Sequence, residues 1–277
     1  MHPPDELAVN ACGAVRPGTR NSVHRRSGKI RISAETNFRH QLPGPSPCMN
    51  ISSAIFHRSA PDLESCPDES LPEFAFIGRS NVGKSSLLNM LSGKPDLAKV
   101  SATPGHTKMI NLFTINKTWR LVDLPGYGFA HVARKDMAKF NHAVSNYLEN
   151  RPNLRGVFVL LDSSLPPQKL DLEFVQWLAR ISAPIVLIFT KIDKSSPTHV
   201  QTNIEAFKAH LSAWCEQLPE IFICSSVTKQ GRSELLGAIE KTLVAERGKS
   251  ASSPQRSERK RESSKIEQQR APWNRLL

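Results

Sequence analysis

Gly78-Arg79-Ser80-Asn81-Val82-Gly83-Lys84-Ser85 lies between two segments of different character. Before it runs Phe74-Ala75-Phe76-Ile77, an apolar run that reads as a buried strand. After it runs Ser86-Leu87-Leu88-Asn89-Met90-Leu91, which reads as the first turns of a helix. The pattern G-x-x-x-x-G-K-[ST] in that strand–loop–helix setting describes a phosphate-binding loop. Its glycines let backbone N–H groups curl around phosphates, and the helix N-terminus adds partial positive charge. Lys84 is placed to reach the β- and γ-phosphates of a nucleotide, and the Ser85 hydroxyl to sit on Mg²⁺. The competing reading is a glycine turn that happens to carry a lysine. Three further motifs, in the right order, weigh against it.

Downstream, short apolar runs alternate with amphipathic stretches. Met109–Ile115 predicts a strand, Asn116-Lys117 a turn, and Trp119–Asp123 the returning strand of a hairpin. Gly156–Leu161 and Pro184–Phe189 are nearly continuous apolar runs, as expected for strands buried on both faces of a parallel sheet. Ile221–Cys224 is the last of the set. Leu170, Phe174, Leu178 and Ile181 share one helix face, as do Ile204, Phe207, Leu211 and Trp214, and both stripes read as core. Six strands with one antiparallel pair, and helices between them, predict a doubly wound, mostly parallel α/β sheet of the P-loop NTPase type.

The net charge of +12 is concentrated at the ends. Residues 1–48 hold seven Lys/Arg against three Asp/Glu, and residues 247–277 hold nine against three, which leaves +2 for 49–246. Such basic, apolar-poor ends bury too little surface to offset the entropy of ordering, so both are expected to be disordered when free. Their natural partners are polyanions, RNA first and anionic membrane second. Met49 opens the expected folded domain, 49–246. Residues 1–48 read as a solvated extension or an upstream-start artefact, and the tail with Arg259-Lys260-Arg261 and Arg270 is the better candidate for a contact. Cys12, Cys48, Cys66, Cys215 and Cys224 form no C-x-x-C pair, which points to reduced thiols in the cytoplasm. The apolar runs fall short of the roughly 20 residues a membrane helix needs.

Three strand ends carry the remaining motifs. Asp123-Leu124-Pro125-Gly126 follows the hairpin, the aspartate placed to hold Mg²⁺ through water and the Gly126 N–H to meet a γ-phosphate. Thr190-Lys191-Ile192-Asp193 ends another strand. A carboxylate there accepts two hydrogen bonds from guanine N1–H and N2–H₂, a pair adenine does not offer, while the Lys191 stem lies along the base. Many GTPases have Asn where Thr190 stands, so one loop-bracing amide is expected to be missing. Cys224-Ser225-Ser226 either brings backbone N–H groups to guanine O6 or is an ordinary loop before a helix capped at Ser233. The threonine that must approach Mg²⁺ when the γ-phosphate is present is sought among Ser101, Thr103 and Thr107, in a polar segment with Pro and Gly. Thr107 is chosen because it directly precedes a strand. Gly105, His106, Thr107, Lys108 and Met109 are therefore included among the expected nucleotide contacts, with Lys84, Thr107 and Gly126 as the catalytic set.

The wording Gly78–Asn89, Thr103-Pro104-Gly105-His106-Thr107 and Asp123-Leu124-Pro125-Gly126-Tyr127-Gly128 closely resembles the EngB (YihA/YsxC) family of bacterial GTPases, in the Era/TrmE-like translation-factor branch. The resemblance covers roughly residues 50–245. It implies a small-GTPase G domain, GTP and Mg²⁺ binding, a role in assembly of the large ribosomal subunit with ribosomal RNA as partner, and an association with cell division and septation. His106 stands where the family often has Arg or Lys. Tyr127 stands where Ras-type enzymes carry the Gln that orients the attacking water. In related GTPases an asparagine at the position of Asn81 helps bind K⁺; the other reading of Asn81 is that it only shapes the turn.

Slow intrinsic turnover is expected, since arginine fingers elsewhere are worth ~10³–10⁵ in rate. Arg134, Lys135 and Lys139 follow the second switch and are candidates for a nucleotide-dependent RNA contact, or simply a solvated face. A monomer is expected. An ATP-using kinase is the competing enzyme class, and T-K-x-D argues against it. A septum-associated protein with a regulatory nucleotide site is the competing non-catalytic class.

Overall fold

The computed structural model describes residues 49–68, 70–98, 109–127, 134–181 and 183–251, the side chains of 134–141 and 249–251 excepted. One seven-stranded sheet forms the frame, in the order β1-β3-β4-β2-β5-β6-β7. The strands are β1 (Ala54–Ala60), β2 (Glu73–Gly78), β3 (Ile110–Ile115), β4 (Trp119–Asp123), β5 (Leu154–Asp162), β6 (Ile185–Thr190) and β7 (Glu220–Ile223). The helices are α1 (Lys84–Ser92), α2 (Arg134–Asn150), α3 (Lys169–Leu178), α4 (Pro197–Ser212) and α5 (Arg232–Ala251).

The expectation of six strands and one antiparallel pair is corrected on both counts. β1 is an additional edge strand, antiparallel to β3, which is in turn antiparallel to β4. β3 thus runs against the other six. β1 escapes a pattern reading because it is buried only at its two ends, Ala54 and Ala60, with Ile55, Phe56, His57 and Arg58 exposed between them. Its partner settles it. Phe56 packs edge-on against Phe113 of β3, at 5.8 Å between ring centroids. The expected hairpin turn forms at Asn116-Lys117, both at positive φ (48° and 59°). The Asn116 carboxamide also accepts from the Ser52 and Ser53 N–H groups and donates to the Asn50 carbonyl, tying the lead-in of β1 to the hairpin.

The period-two alternation of β2 supplies both faces of the sheet. Ala75 and Ile77 join Val144 and Tyr147 of α2, Phe174 and Leu178 of α3, and Ile204, Phe207 and Leu211 of α4 in one cluster. Phe74 and Phe76 join Leu87, Leu88 and Leu91 of α1 and Leu235, Leu236 and Ile239 of α5 in the other. Both helical stripes read from the sequence are in the first cluster, with Leu170, Ile181 and Trp214 packed at its margin. At the N-terminal ends of the parallel strands, fully buried Glu73 accepts from Tyr147 Oη (2.7 Å), Arg151 Nε (2.8 Å) and Nη2 (2.7 Å), and Arg120 Nη1 (3.3 Å). Cys66, Cys215 and Cys224 are buried thiols. Among the described residues no helix is long and apolar enough to cross a membrane.

Candidate functional site

All four motif-bearing strands, β2, β4, β6 and β7, and β5 among them, deliver their C-terminal ends to one edge of the sheet, where α/β proteins bind ligands. β2 ends at Gly78, β4 at Asp123, β5 at Asp162 and β6 at Thr190.

The loop after β2 turns tightly into α1. Asn81 sits at φ 62°, a left-handed conformation that Asn tolerates better than most residues, and Gly83 at φ 98°. The first intrahelical bond runs from Leu87 N–H to the Gly83 carbonyl at 2.9 Å. The N–H groups of Lys84, Ser85 and Ser86 therefore have no helical acceptor, and no side chain caps this helix start. That is the local geometry that receives an anion. Lys84 is 9% exposed and its ammonium pairs with the carboxylate of Asp123, itself 2% exposed. Residues 39 apart in sequence thus meet at the mouth of the loop. Arg79 points away from it, its guanidinium donating to Gln168 Oε1 ahead of α3 at 3.4 Å.

Asp123-Leu124-Pro125-Gly126 lies against the phosphate loop. Leu124 N–H donates to the Phe76 carbonyl at 3.0 Å, and Leu124 and Pro125 are buried. A Cβ on Gly126 would stand 2.7 Å from the Gly78 carbonyl oxygen, so only glycine fits this approach. Tyr127 next to it is 3% exposed, with its phenol turned into the core.

The loop after β6 is braced from three sides. Thr190 Oγ1 lies 2.7 Å from the Val82 carbonyl of the phosphate loop and 3.1 Å from that of Leu161, and its single proton serves both. The brace expected to be missing with Thr in place of Asn is thus supplied by the hydroxyl. Lys191, at φ 61°, runs its stem past Gly83 and donates from Nζ to Asp162 Oδ2 at 2.6 Å. Burial pushes the Asp162 carboxyl up, but hydrogen bonds from Lys191 and Ser164 outweigh it and hold the group below the usual carboxylate range. Ile192 packs partly into the core and its N–H approaches the Cys224 carbonyl at 3.4 Å. Asp193 is exposed beside it.

In the loop after β7, the Cys224 N–H donates to the Phe189 carbonyl and the Ser225 N–H to that of Gln230. The Ser225 hydroxyl oxygen accepts from Val227 and Thr228 N–H, and Ser226 alone of the triplet is exposed. Burial raises the Cys224 thiol to about 12, which keeps it a neutral packing group. Ser233 lies inside α5 with its hydroxyl on Glu234, and so caps nothing.

Ser101, Thr103, Gly105, His106, Thr107, Lys108 and Gly128 fall outside the described residues, as do 1–48 and 252–277, whereas 247–251 continue α5 past the expected domain end at 246. Met109 is described and exposed, immediately before β3. Arg134, Lys135 and Lys139 lie in the first turns of α2, a helix of 17 residues. Sequence reading missed Asp162 and Asp171 altogether. For Asp162 a signal existed, since a carboxylate at the C-terminal end of a buried parallel strand sits where ligands bind.

Comparison with known proteins agrees with this geometry. The family described as 50S ribosome-binding GTPase matches residues 73–191. The "Probable GTP-binding protein EngB" of Phocaeicola vulgatus is 48% identical over 192 residues, 69% of this chain and 96% of the relative. Its counterpart in Cytophaga hutchinsonii is 49% identical over 187 residues, 68% of this chain and 94% of the relative. A crystal structure of a probable GTP-binding protein engB superposes with a TM-score of 0.52 at 22% identity, covering 62% of this chain and 99% of the other, a likeness of fold. With a phosphate loop, a D-x-x-G loop and a guanine-type T-K-x-D loop gathered on one sheet edge, and near-full-length relatives at almost half identity, the chain belongs to the EngB family of GTP-binding proteins and is a GTPase.

Proposed function

We propose that this GTPase is a molecular switch whose GTP form docks on a precursor of the large ribosomal subunit and whose hydrolysis step releases it, with normal cell division and septation depending on that cycle. The observation that carries the reading is the direct joining of the motifs: Lys84 to Asp123, and Thr190 to Val82. Phosphate, metal and base elements share one braced edge, so a change at the γ-phosphate is felt by the whole site. The description of the matching family as 50S ribosome-binding supports the ribosomal partner.

In this reading Gly78–Ser85 cradle the phosphates, and Lys84 exchanges Asp123 for the β- and γ-phosphate oxygens as nucleotide enters. Gly126 N–H meets the γ-phosphate, with Gly105–Met109 closing from the first switch. Thr190–Asp193 and Cys224–Ser226 hold the guanine, Asp193 selecting it. The donor set fits Mg²⁺. Ser85 and Thr107 offer hydroxyls and Asp123 a carboxylate through water, and such hard oxygens suit this ion. Among the described residues no group of three or more His, Cys, Asp or Glu forms a rival metal site. Held by Ser85, Thr107 and, through water, Asp123, the ion would supply positive charge that offsets the charge developing on the phosphates. The left-handed φ of Asn81 explains its place in the turn; a K⁺ role for it is the further proposal that replacing K⁺ by Na⁺ in a turnover assay tests. The Tyr127 phenol is turned into the core, so the attacking water relies on backbone groups, a cation or the ribosomal partner, and unassisted turnover is slow. We place this cycle in the cytoplasm, on a monomer with its G domain at 49–246 and flanking segments at 1–48 and 247–277.

The test is capture from cell extract on the immobilised protein loaded with a non-hydrolysable GTP analogue or with GDP. Large-subunit particles held by the GTP form and released with GDP are the expected result. Division proteins captured without ribosomal particles would overturn it.

A further inference from the structure

The proposed mechanism makes no use of the Tyr127 side chain, yet Tyr127 is fixed from two directions. Its backbone extends the sheet into the phosphate loop: the N–H donates to the Gly78 carbonyl at 3.2 Å, and the carbonyl accepts from Ser80 N–H at 3.3 Å. Gly126 is pressed between these contacts. Its side chain reaches the opposite way, to α3. The ring stacks on Phe174 with centroids 4.3 Å apart, and Oη donates to Asp171 Oδ1 at 3.0 Å. Asp171 and Phe174 stand on one face of α3, so one side chain grips two successive points of that helix.

Asp171 is 5% exposed, an expensive place for a carboxyl group. Burial pushes it up to about 6, against the opposing pull of the Tyr127 hydrogen bond and the nearby Arg79 guanidinium, with Asp162 adding a small push upward. A phenylalanine at 127 would stack on Phe174 just as well and need no buried acid. What the Tyr–Asp pair adds over that arrangement is direction: a hydrogen bond orients the ring, which stacking alone leaves loose. Arg79, reaching Gln168 just before α3, makes a second strap from the phosphate loop to the same helix start.

We propose that Asp171 is a positioning residue for GTP hydrolysis: by holding the Tyr127 phenol on α3 it fixes the Gly126–Tyr127 backbone against the phosphate loop, where the γ-phosphate is sensed. The proposal rests on the assignment of Gly126 to the γ-phosphate made above. GDP lacks that phosphate, so the pair should matter for GTP turnover and not for GDP binding.

The test measures single-turnover GTP hydrolysis and GDP affinity for Tyr127→Phe, Asp171→Ala, Asp171→Asn and the Tyr127→Phe/Asp171→Ala double variant of the full chain. Tyr127→Phe, which keeps the ring and the fold, is expected to lose at least tenfold in kcat with GDP Kd within twofold of wild type. Asp171→Ala loses a similar factor, the double variant loses little more, and Asp171→Asn, whose amide oxygen still accepts from the phenol, recovers most of the rate. Wild-type turnover in Tyr127→Phe with normal GDP binding overturns the proposal. So does a loss of kcat, GDP affinity and melting temperature in step, which marks a merely structural contact. A wild-type protein that binds no GDP overturns the site assignment itself, and this proposal with it.

Discussion

The two ends of the parallel strands both carry paired charge, fully buried at one end and buried to half-buried at the other, and the pairs are built differently. At the N-terminal end, Glu73 has both oxygens occupied by two guanidiniums and a phenol, and Arg151 donates from two of its nitrogens, an arrangement that satisfies the acid fully. Burial and the Glu73 charge raise the Tyr147 phenol well above its ordinary range, so it stays a proton donor. At the C-terminal end the ion pairs are single lysine ammoniums on single carboxylates, Lys84 on Asp123 and Lys191 on Asp162. A lysine is a compact charge on a flexible stem and changes partners readily, whereas the planar fork of arginine commits to one. The closed network holds the sheet together; in the proposed function the open pairs are redirected to phosphate and base. Charge in a core therefore says little until the number and kind of its partners are known.

Breaking each end separately should give different readouts. Glu73→Ala strands two guanidiniums and a phenol in the core, and is expected to lower unfolding free energy by about 3–5 kcal/mol. Urea denaturation reads that loss, and GDP affinity of the folded fraction should stay within twofold of wild type. Lys84→Ala should do the reverse, lowering GTP turnover by roughly 10²–10³, the usual effect of deleting a donor aimed at developing charge. If Lys84→Ala turned over GTP normally, the site end would be structural too and the comparison would fail. Asp171 gives a smaller, pH-dependent effect. Its folded pKa of about 6 lies above the ordinary 3.8, so the folded state binds the proton more tightly than the unfolded one. That stabilisation is complete below the ordinary value and is lost as pH rises through 6, a change of about 3 kcal/mol. Asp171→Asn should flatten the stability profile across that window, and an unchanged profile would place the titration elsewhere.

What was legible in the sequence was whatever is local in the chain. The phosphate loop, its strand and its helix are contiguous, and the stripes of α3 and α4 repeat within a few turns. β1 was not legible, because its exposed centre carries no alternation and its register comes from β3, with Ala54 facing Ile115. Thr190 could be seen as a departure from Asn, but not that its hydroxyl reaches Val82, 108 residues earlier. Tyr127 was read for the Gln it replaces, and nothing nearby in the chain tells that its phenol faces Asp171, 44 residues on. Chemistry was visible from residue type and order. Direction was not, since the side of the sheet a residue faces is set by strands it meets only in three dimensions.

The most direct test of the central claim is titration calorimetry of GDP, a non-hydrolysable GTP analogue and an ATP analogue on wild type and Asp193→Ala. The account predicts that wild type binds both guanine nucleotides and ignores the ATP analogue, and that Asp193→Ala loses guanine binding. Equal binding of the ATP analogue, or guanine affinity untouched by the substitution, would contradict it.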